Sequence, residues 1–363
     1  MKGNLEKVTP PAQIKPSTYT YDPLGRPATV TDGRGTRTTY TYDDRDRITE
    51  VTSPTTKVTY RYDGDGNLRE RTDATGTVTY QFDALSRETV RTLQDKSRTV
   101  LAYDAAGNET NAEATRTDER WTDFSQLASI TTGGTTHDAA YGSTDNSERT
   151  RLGDTLFHNG PLGLAGQTTG GTDTGFVREP RGTLNSMNRG GKSYYYLTDA
   201  LGSVVGLADE TGAKVNSYGY SPRGVARAAN TEQVPQPYRF AGGYQDPTGL
   251  YHLGARYYDP SVGRFTQPDP SGQETNPYLY AEGDPVNHID HGGLYSVGDF
   301  GSDIGAIVGA GTAGAMVGSG TGCAVGFFAA SLPGCGAGAA AGTAIGGAVG
   351  VLGGIAAVIG LRN

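Results

Sequence analysis

Five aromatic–aspartate pairs punctuate the first third of this 363-residue chain: Tyr21-Asp22, Tyr42-Asp43, Tyr62-Asp63, Phe82-Asp83 and Tyr103-Asp104. Each is followed by a turn-like string, in order DPLGR, DDRDR, DGDGN, DALSR and DAAGN. Such carboxylates could bind calcium or carbohydrate, but their ordinary work is to accept hydrogen bonds from nearby backbone amides. They read as architecture. The histidine cluster, His288 and His291 flanking Asp290, offers too few ligands at structural-zinc spacing, and no metal is expected. No phosphate-cradling glycine loop, dinucleotide fingerprint or Ser-His-Asp or Cys-His arrangement can be assembled, so no cofactor and no conventional enzymology is expected. Cys323 and Cys335 are either a disulfide, in an oxidising compartment, or free thiols in a reducing one.

The elements that carry the aspartates repeat every 20 or 21 residues. Alternating stretches such as Thr38-Thr39-Tyr40-Thr41-Tyr42 and Val58-Thr59-Tyr60-Arg61-Tyr62 precede the turns. Period-two alternation rich in Thr, Val and Tyr predicts strands, so each repeat is a β-hairpin. A lone hairpin is unstable in water, and the units must stack into one extended sheet. Net charge is −8 with 35 % hydrophobic residues, which argues against nucleic-acid binding through phosphates. The start, MKGNLEKVTPPAQIKP, has no apolar core of a secretion signal and reads as a loose lead-in.

The 20-residue Tyr-Asp repeat resembles the RHS/YD-repeat proteins over residues 19–104 and loosens between 105 and 190, where Gly/Thr-rich strings interrupt it. From Tyr194 to Leu294 the chain resembles the RHS-associated core, through YGYSPRG, YRFAGGYQDPTGLYHLGARYYDPSVGRFTQPDP and NPYLYAEGDPVN. The expected organisation is a lead-in at 1–18, a repeat region at 19–193, a core at 194–294 and a distinct segment at 295–363. The resemblance implies a mainly β fold in which antiparallel hairpins form a spiralling shell that the core closes around a C-terminal segment, often a toxin. Full shells in that family are much longer. An incomplete spiral leaves an open sheet edge, so a longer shell chain is an expected partner, and an immunity protein is another.

Many members of the family cleave themselves after a P-x4-D-P-x-G-L motif. Here Pro285, Asp290, Gly293 and Leu294 match it, while His291 stands where the second proline would be. The resemblance implies aspartyl-protease-like chemistry, with paired carboxylates sharing a proton. Arg256 and Asp269 fit the family's catalytic spacing, but Tyr257 occupies the place of the first aspartate. Asp259, on the same strand face as position 257, is the candidate substitute, while Asp259-Pro260 also reads as an ordinary turn start. A second DPxGL string, Asp246 to Leu250, sits inside the core and reads as a plain turn.

Beyond residue 300 the composition breaks: 301–363 holds 19 of the 55 glycines and only two charges, Asp303 and Arg362. Gly334, Gly338, Gly342, Gly346, Gly350 and Gly354 fall every fourth residue, as do Gly314, Gly318, Gly322 and Gly326. Such rows make poor soluble helices but flat faces for helix contact in a bilayer. An apolar α-helical hairpin over 301–361, split near Ser331–Gly336, with the lipid bilayer as partner, is the expectation. It would act as a released membrane-disrupting toxin, as an anchor for a surface or adhesion module, or as an apolar segment packed in the shell. The expected location is membrane-associated, or outside the cell by a dedicated secretion route. A further alternative is a non-functional fragment of such a gene.

Overall fold

The computed structural model describes residues 6–8 and 16–294, apart from 34, 113–115, 146–147, 181, 200, 228–229 and 273. The expected helical hairpin, its glycine rows, Cys323 and Cys335 lie outside the described residues. Among the described residues no helix is long and apolar enough to cross a membrane.

The aspartates build the turns. Asp43 Oδ1 accepts the backbone N–H groups of Arg45 and Arg47 at 3.0 Å each, and Oδ2 accepts Arg47 Nε at 2.8 Å. Asp22 and Asp83 repeat the arrangement with Arg26 and Arg87. Where asparagine replaces arginine, Asn67 and Asn108 donate to Asp63 and Asp104 at 3.2 and 2.9 Å. The residue three beyond each aspartate is left-handed, at φ 88° in Gly25 and 85° in Gly66, and Asp46 and Ser86 accept the same conformation at 63° and 60°. Strand pairing slips by one residue at each aromatic partner, as between Thr41 and Tyr42. These are type I turns closed by a left-handed bulge residue.

Neighbouring turns are tied together. Tyr42 and Tyr62 donate their hydroxyls to the Pro27 and Ile48 carbonyls, each at 2.9 Å. Arg26 and Arg47 lie over the Tyr42 and Tyr62 rings, each 4.6 Å from the centroid. Arg47 Nη1 also donates to the Asp63 carbonyl at 3.0 Å. One repeat therefore dictates the position of the next.

Repeated in this way, the hairpins give one 23-stranded antiparallel sheet from Lys7–Val8 to Thr231–Glu232, in which each strand pairs with its successor. The stretch at 105–190 continues it with a different turn. Gly133-Gly134, Gly170-Gly171 and Gly190-Gly191 each take positive φ at both residues, the two-residue hairpin turn that suits strand twist. Position 194 falls within the strand Lys192–Thr198, which pairs with its neighbours on both sides. The architecture changes after Glu232. A separate four-stranded sheet follows, made of Tyr244–Gln245, Tyr251–Leu253, Arg256–Asp259 and Arg264–Phe265.

One face of the large sheet is buried against this C-terminal part. Val262 joins Ile48, Tyr60, Leu68 and Tyr80; Leu250 and Tyr257 join Leu127 and Ile130; Tyr238 and Tyr244 join Phe157, Phe176 and Leu207. Arg223, which follows the Lys214–Ser217 strand, donates to the Tyr62 hydroxyl at 2.9 Å. In a flat sheet with strands about 4.8 Å apart, those elements would stand roughly 75 Å from each other. The sheet therefore curls around the segment it buries.

If the turn carboxylate holds each hairpin, Asp43→Ala lowers unfolding free energy by about 1–2 kcal/mol, the scale of a lost cap. Asp43→Asn, which keeps an acceptor for both amides, costs less. Urea unfolding of the two variants beside the parent chain checks the order.

Candidate functional site

The strand Arg256–Asp259 is wholly buried and its side chains alternate in direction. Tyr257 and Asp259 turn toward the large sheet. The Tyr257 hydroxyl pairs with Tyr141 at 2.8 Å and accepts from Arg149 Nη1 at 3.1 Å. Arg256 turns the other way, toward the loop that carries Pro285, Asp290, Gly293 and Leu294. Its Nη2 donates to Asp290 Oδ2 at 2.9 Å, its Nε to the Gly293 carbonyl at 2.6 Å and its Nη1 to the Pro277 carbonyl at 3.1 Å. The guanidinium also lies 3.6 Å from the centre of the Phe265 ring.

The loop is held tightly at its backbone. Ala255 N–H donates to the Gly292 carbonyl at 2.8 Å. A Cβ on Gly293, which has φ +62°, would stand 2.2 Å from the Leu253 carbonyl oxygen, so only glycine fits. Pro285 is buried beside the turn that Asp284 opens, where the N–H groups of Asn287 and His288 both reach its carbonyl. Asp284 is pushed up to about 6 by burial.

Both ends of the last described residue are engaged. Leu294 N–H donates to Asp290 Oδ1 at 3.2 Å, and the Leu294 carbonyl oxygen lies 3.0 Å from Ser271 Oγ. Ser271 Oγ is in turn 2.7 Å from Asp269 Oδ2, which also accepts Glu274 N–H at 3.1 Å. Asp290 is almost fully buried, and burial raises its carboxyl against the opposing pull of Arg256. The expected residues Arg256, Asp269, Asp290, Gly293 and Leu294 thus come together, and Ser271 joins them unforeseen. The carbonyl between Leu294 and Tyr295 is presented to a hydroxyl backed by one carboxylate, beside a second carboxylate.

Asp259 does not join them. Its carboxylate accepts Arg116 Nη2 at 3.0 Å and the Ser261 hydroxyl at 2.6 Å, with Arg91 4.0 Å away. Arg116 and Arg91 hold it down at about 2 despite its burial, so near neutral pH it is a fixed anion and a poor proton carrier. The substitution expected at 259 is therefore corrected: the residue faces the sheet and ties the core to it. His288 and His291 do not gather around Asp290 either. His288 Nδ1 lies 3.5 Å from Glu282, while Asp290 is taken by Arg256 and Leu294. Among the described residues no group of three or more His, Cys, Asp or Glu side chains could hold a metal ion.

The cluster around Asp259 carries four carboxylates, on Glu88, Glu109, Glu119 and Asp259, against the guanidiniums of Arg91 and Arg116. Burial, then repulsion from Glu109, pushes Glu119 up to about 8, and its Oε2 is buried without a hydrogen-bond partner. A carboxyl raised by folding keeps its proton in the folded chain after the unfolded chain has lost it. Stability therefore declines as pH rises from about 4.3, the unfolded value, and levels off above the folded one. Glu119→Gln removes that decline. Its melting temperature relative to the parent climbs steadily between about pH 5 and pH 8; a difference that stays flat across this range would exclude Glu119 as the source.

Comparison with known proteins agrees with this architecture. The teneurin YD-shell family model matches residues 167–285, and the RHS repeat model matches 2–37, 21–58 and 62–95. Salivary gland surface protein 1 of Aedes aegypti is 38% identical over 141 residues, which are 38% of this chain and 4% of that protein. The double-stranded DNA deaminase toxin A of Burkholderia cenocepacia is 35% identical over 127 residues, 32% of this chain and 9% of the toxin. The chain thus matches less than a tenth of either relative's length. In fold it is similar to the crystal structure of TcdB2-TccC3-TEV, with a TM-score of 0.62 and 18% identity over 79% of this chain and 17% of that one. Matched by both models and built from their hairpins in one curled sheet, the chain belongs to the RHS/YD-repeat family.

Proposed function

We propose that this chain is the C-terminal part of an RHS-type toxin shell, and that its core cuts the Leu294–Tyr295 bond to release residues 295–363. The observation that carries the reading is the setting of Leu294: its carbonyl on Ser271 and Asp269, its amide on Asp290. Aspartyl chemistry needs one carboxyl group to polarise a carbonyl and another to activate water. Arg256 holds the loop for that reaction through Gly293 and Asp290.

The released piece is a membrane-active peptide in this reading. Its glycine rows and near-absence of charge suit helix pairing inside a bilayer better than life in water, where the shell would shield it. A longer shell chain, an immunity protein and a dedicated export route belong to the same proposal. The alternative is an uncut, membrane-anchored surface module, which the similarity to a surface protein favours.

Intact-mass spectrometry of freshly made full-length chain separates the two. A break after Leu294 in the parent, absent from Asp269→Ala, is the expected result; one uncut mass in both removes the release reading and leaves the anchored one. The 295–363 peptide is then expected to empty dye-loaded liposomes, and no leakage at any soluble concentration would end the claim of membrane activity.

A further inference from the structure

The proposed cleavage leaves a gap: the family's first aspartate is Tyr257 here, and Asp259 faces the sheet. The geometry around Leu294 fills it. We propose that Ser271 is a catalytic residue of this cleavage, passing a proton from Asp269 to the Leu294 carbonyl oxygen, with Asp290 as the carboxylate that activates water. This rests on the self-cleavage reading above and names the groups that perform it.

Ser271 Oγ lies 2.7 Å from Asp269 Oδ2 and 3.0 Å from the Leu294 carbonyl oxygen, yet a hydroxyl has one proton to give. In the proposed step Asp269 carries a proton and gives it to Ser271, whose own proton passes to the carbonyl. The distances describe a relay aimed at the bond to be cut. Asp290 approaches the same residue from its amide side. Arg256 occupies its Oδ2 and opposes the upward push of burial, while Oδ1 stays on Leu294 N–H. Leu294 itself is 39% exposed, so water has access.

The step balances. Water adds to the Leu294 carbonyl carbon and gives one proton to Asp290, while the carbonyl oxygen takes the Ser271 proton and Ser271 takes that of Asp269. The tetrahedral carbon then loses the Tyr295 nitrogen, which leaves with the proton from Asp290. One hydroxyl proton of the intermediate returns through Ser271 to Asp269. One water is consumed, a carboxyl group and an amine are formed, and both aspartates end as they began.

Cell-free synthesis of the full chain, followed over time by intact mass, tests this. In Ser271→Ala the break after Leu294 slows by about 100-fold or more, the scale of a lost proton-transfer group. Ser271→Thr and Ser271→Val have nearly the same shape and differ in the hydroxyl; the threonine variant is expected to cut and the valine variant to stay whole, with equal melting temperatures. Asp290→Asn is expected to stay whole. If the parent cuts and the valine variant keeps pace with it, the relay is overturned while self-cleavage stands. Equal cutting by Asp290→Asn overturns the role given to Asp290. A parent that never cuts overturns the self-cleavage reading and this proposal with it.

Discussion

Everything in this molecule hangs on a carboxylate at the mouth of a turn. An aspartate that accepts two backbone amides and a neighbouring guanidinium fixes where a hairpin ends. The bulge that closes the turn shifts the pairing by one residue and rotates the preceding tyrosine, whose hydroxyl reaches back to the previous hairpin. The arginine of that turn covers the next tyrosine ring, so capping, register and stacking come from the same three side chains. Identical turns at equal spacing give identical steps, and identical steps in a twisted sheet accumulate into a curl.

A curled sheet with one apolar face needs something to bury that face against. The segment after Glu232 does so with tyrosines, and five nearly buried arginines line the contact: Arg116, Arg149 and Arg223 from before it, Arg256 and Arg264 from within it. Four of them fasten that segment to the rest: Arg116 to Asp259, Arg149 to Asp246, Arg223 to the Val262 carbonyl and Arg264 to the Ser86 carbonyl. Buried ion pairs such as the first two add little net stability, because desolvation cancels most of the attraction. What they impose is register. A core shifted by a single residue would strand several charges in an apolar interior, a heavy penalty that apolar contacts alone would not supply.

The repeats were legible in the sequence because their signals are local. Tyr-Asp spacing, alternation and turn residues sit within one hairpin, and the expectation of stacked hairpins follows from them. The middle of the sheet was less legible. Its Gly-Gly pairs at 133, 170 and 190 are ordinary two-residue turn signals, but without the aspartate they did not resemble the first five repeats. The site was legible only in part. Arg256, Asp269, Asp290 and Leu294 came from motif spacing, whereas the rejection of Asp259 depends on Arg116, 143 positions away in the chain. Ser271 carried no signal at all, because a serine two residues after an aspartate is commonplace turn filler.

The chain also contains its own control. Asp246 to Leu250 and Asp290 to Leu294 share the spacing of a D-x-x-G-L turn, and each aspartate meets a buried arginine. Arg149 takes both oxygens of Asp246, at 2.6 and 2.7 Å, and the Leu250 carbonyl is consumed by the turn's own Asp246 N–H. Leu250 is buried, and nothing reactive is left over. Arg256 takes only one oxygen of Asp290 and spends its other donors on Gly293 and Pro277. That leaves Asp290 Oδ1 for Leu294 N–H and the Leu294 carbonyl for Ser271. The same string is thus an inert turn in one place and an exposed carbonyl between two carboxylates in the other. The difference lies in how a single guanidinium divides its hydrogen bonds, which no motif of five residues can encode.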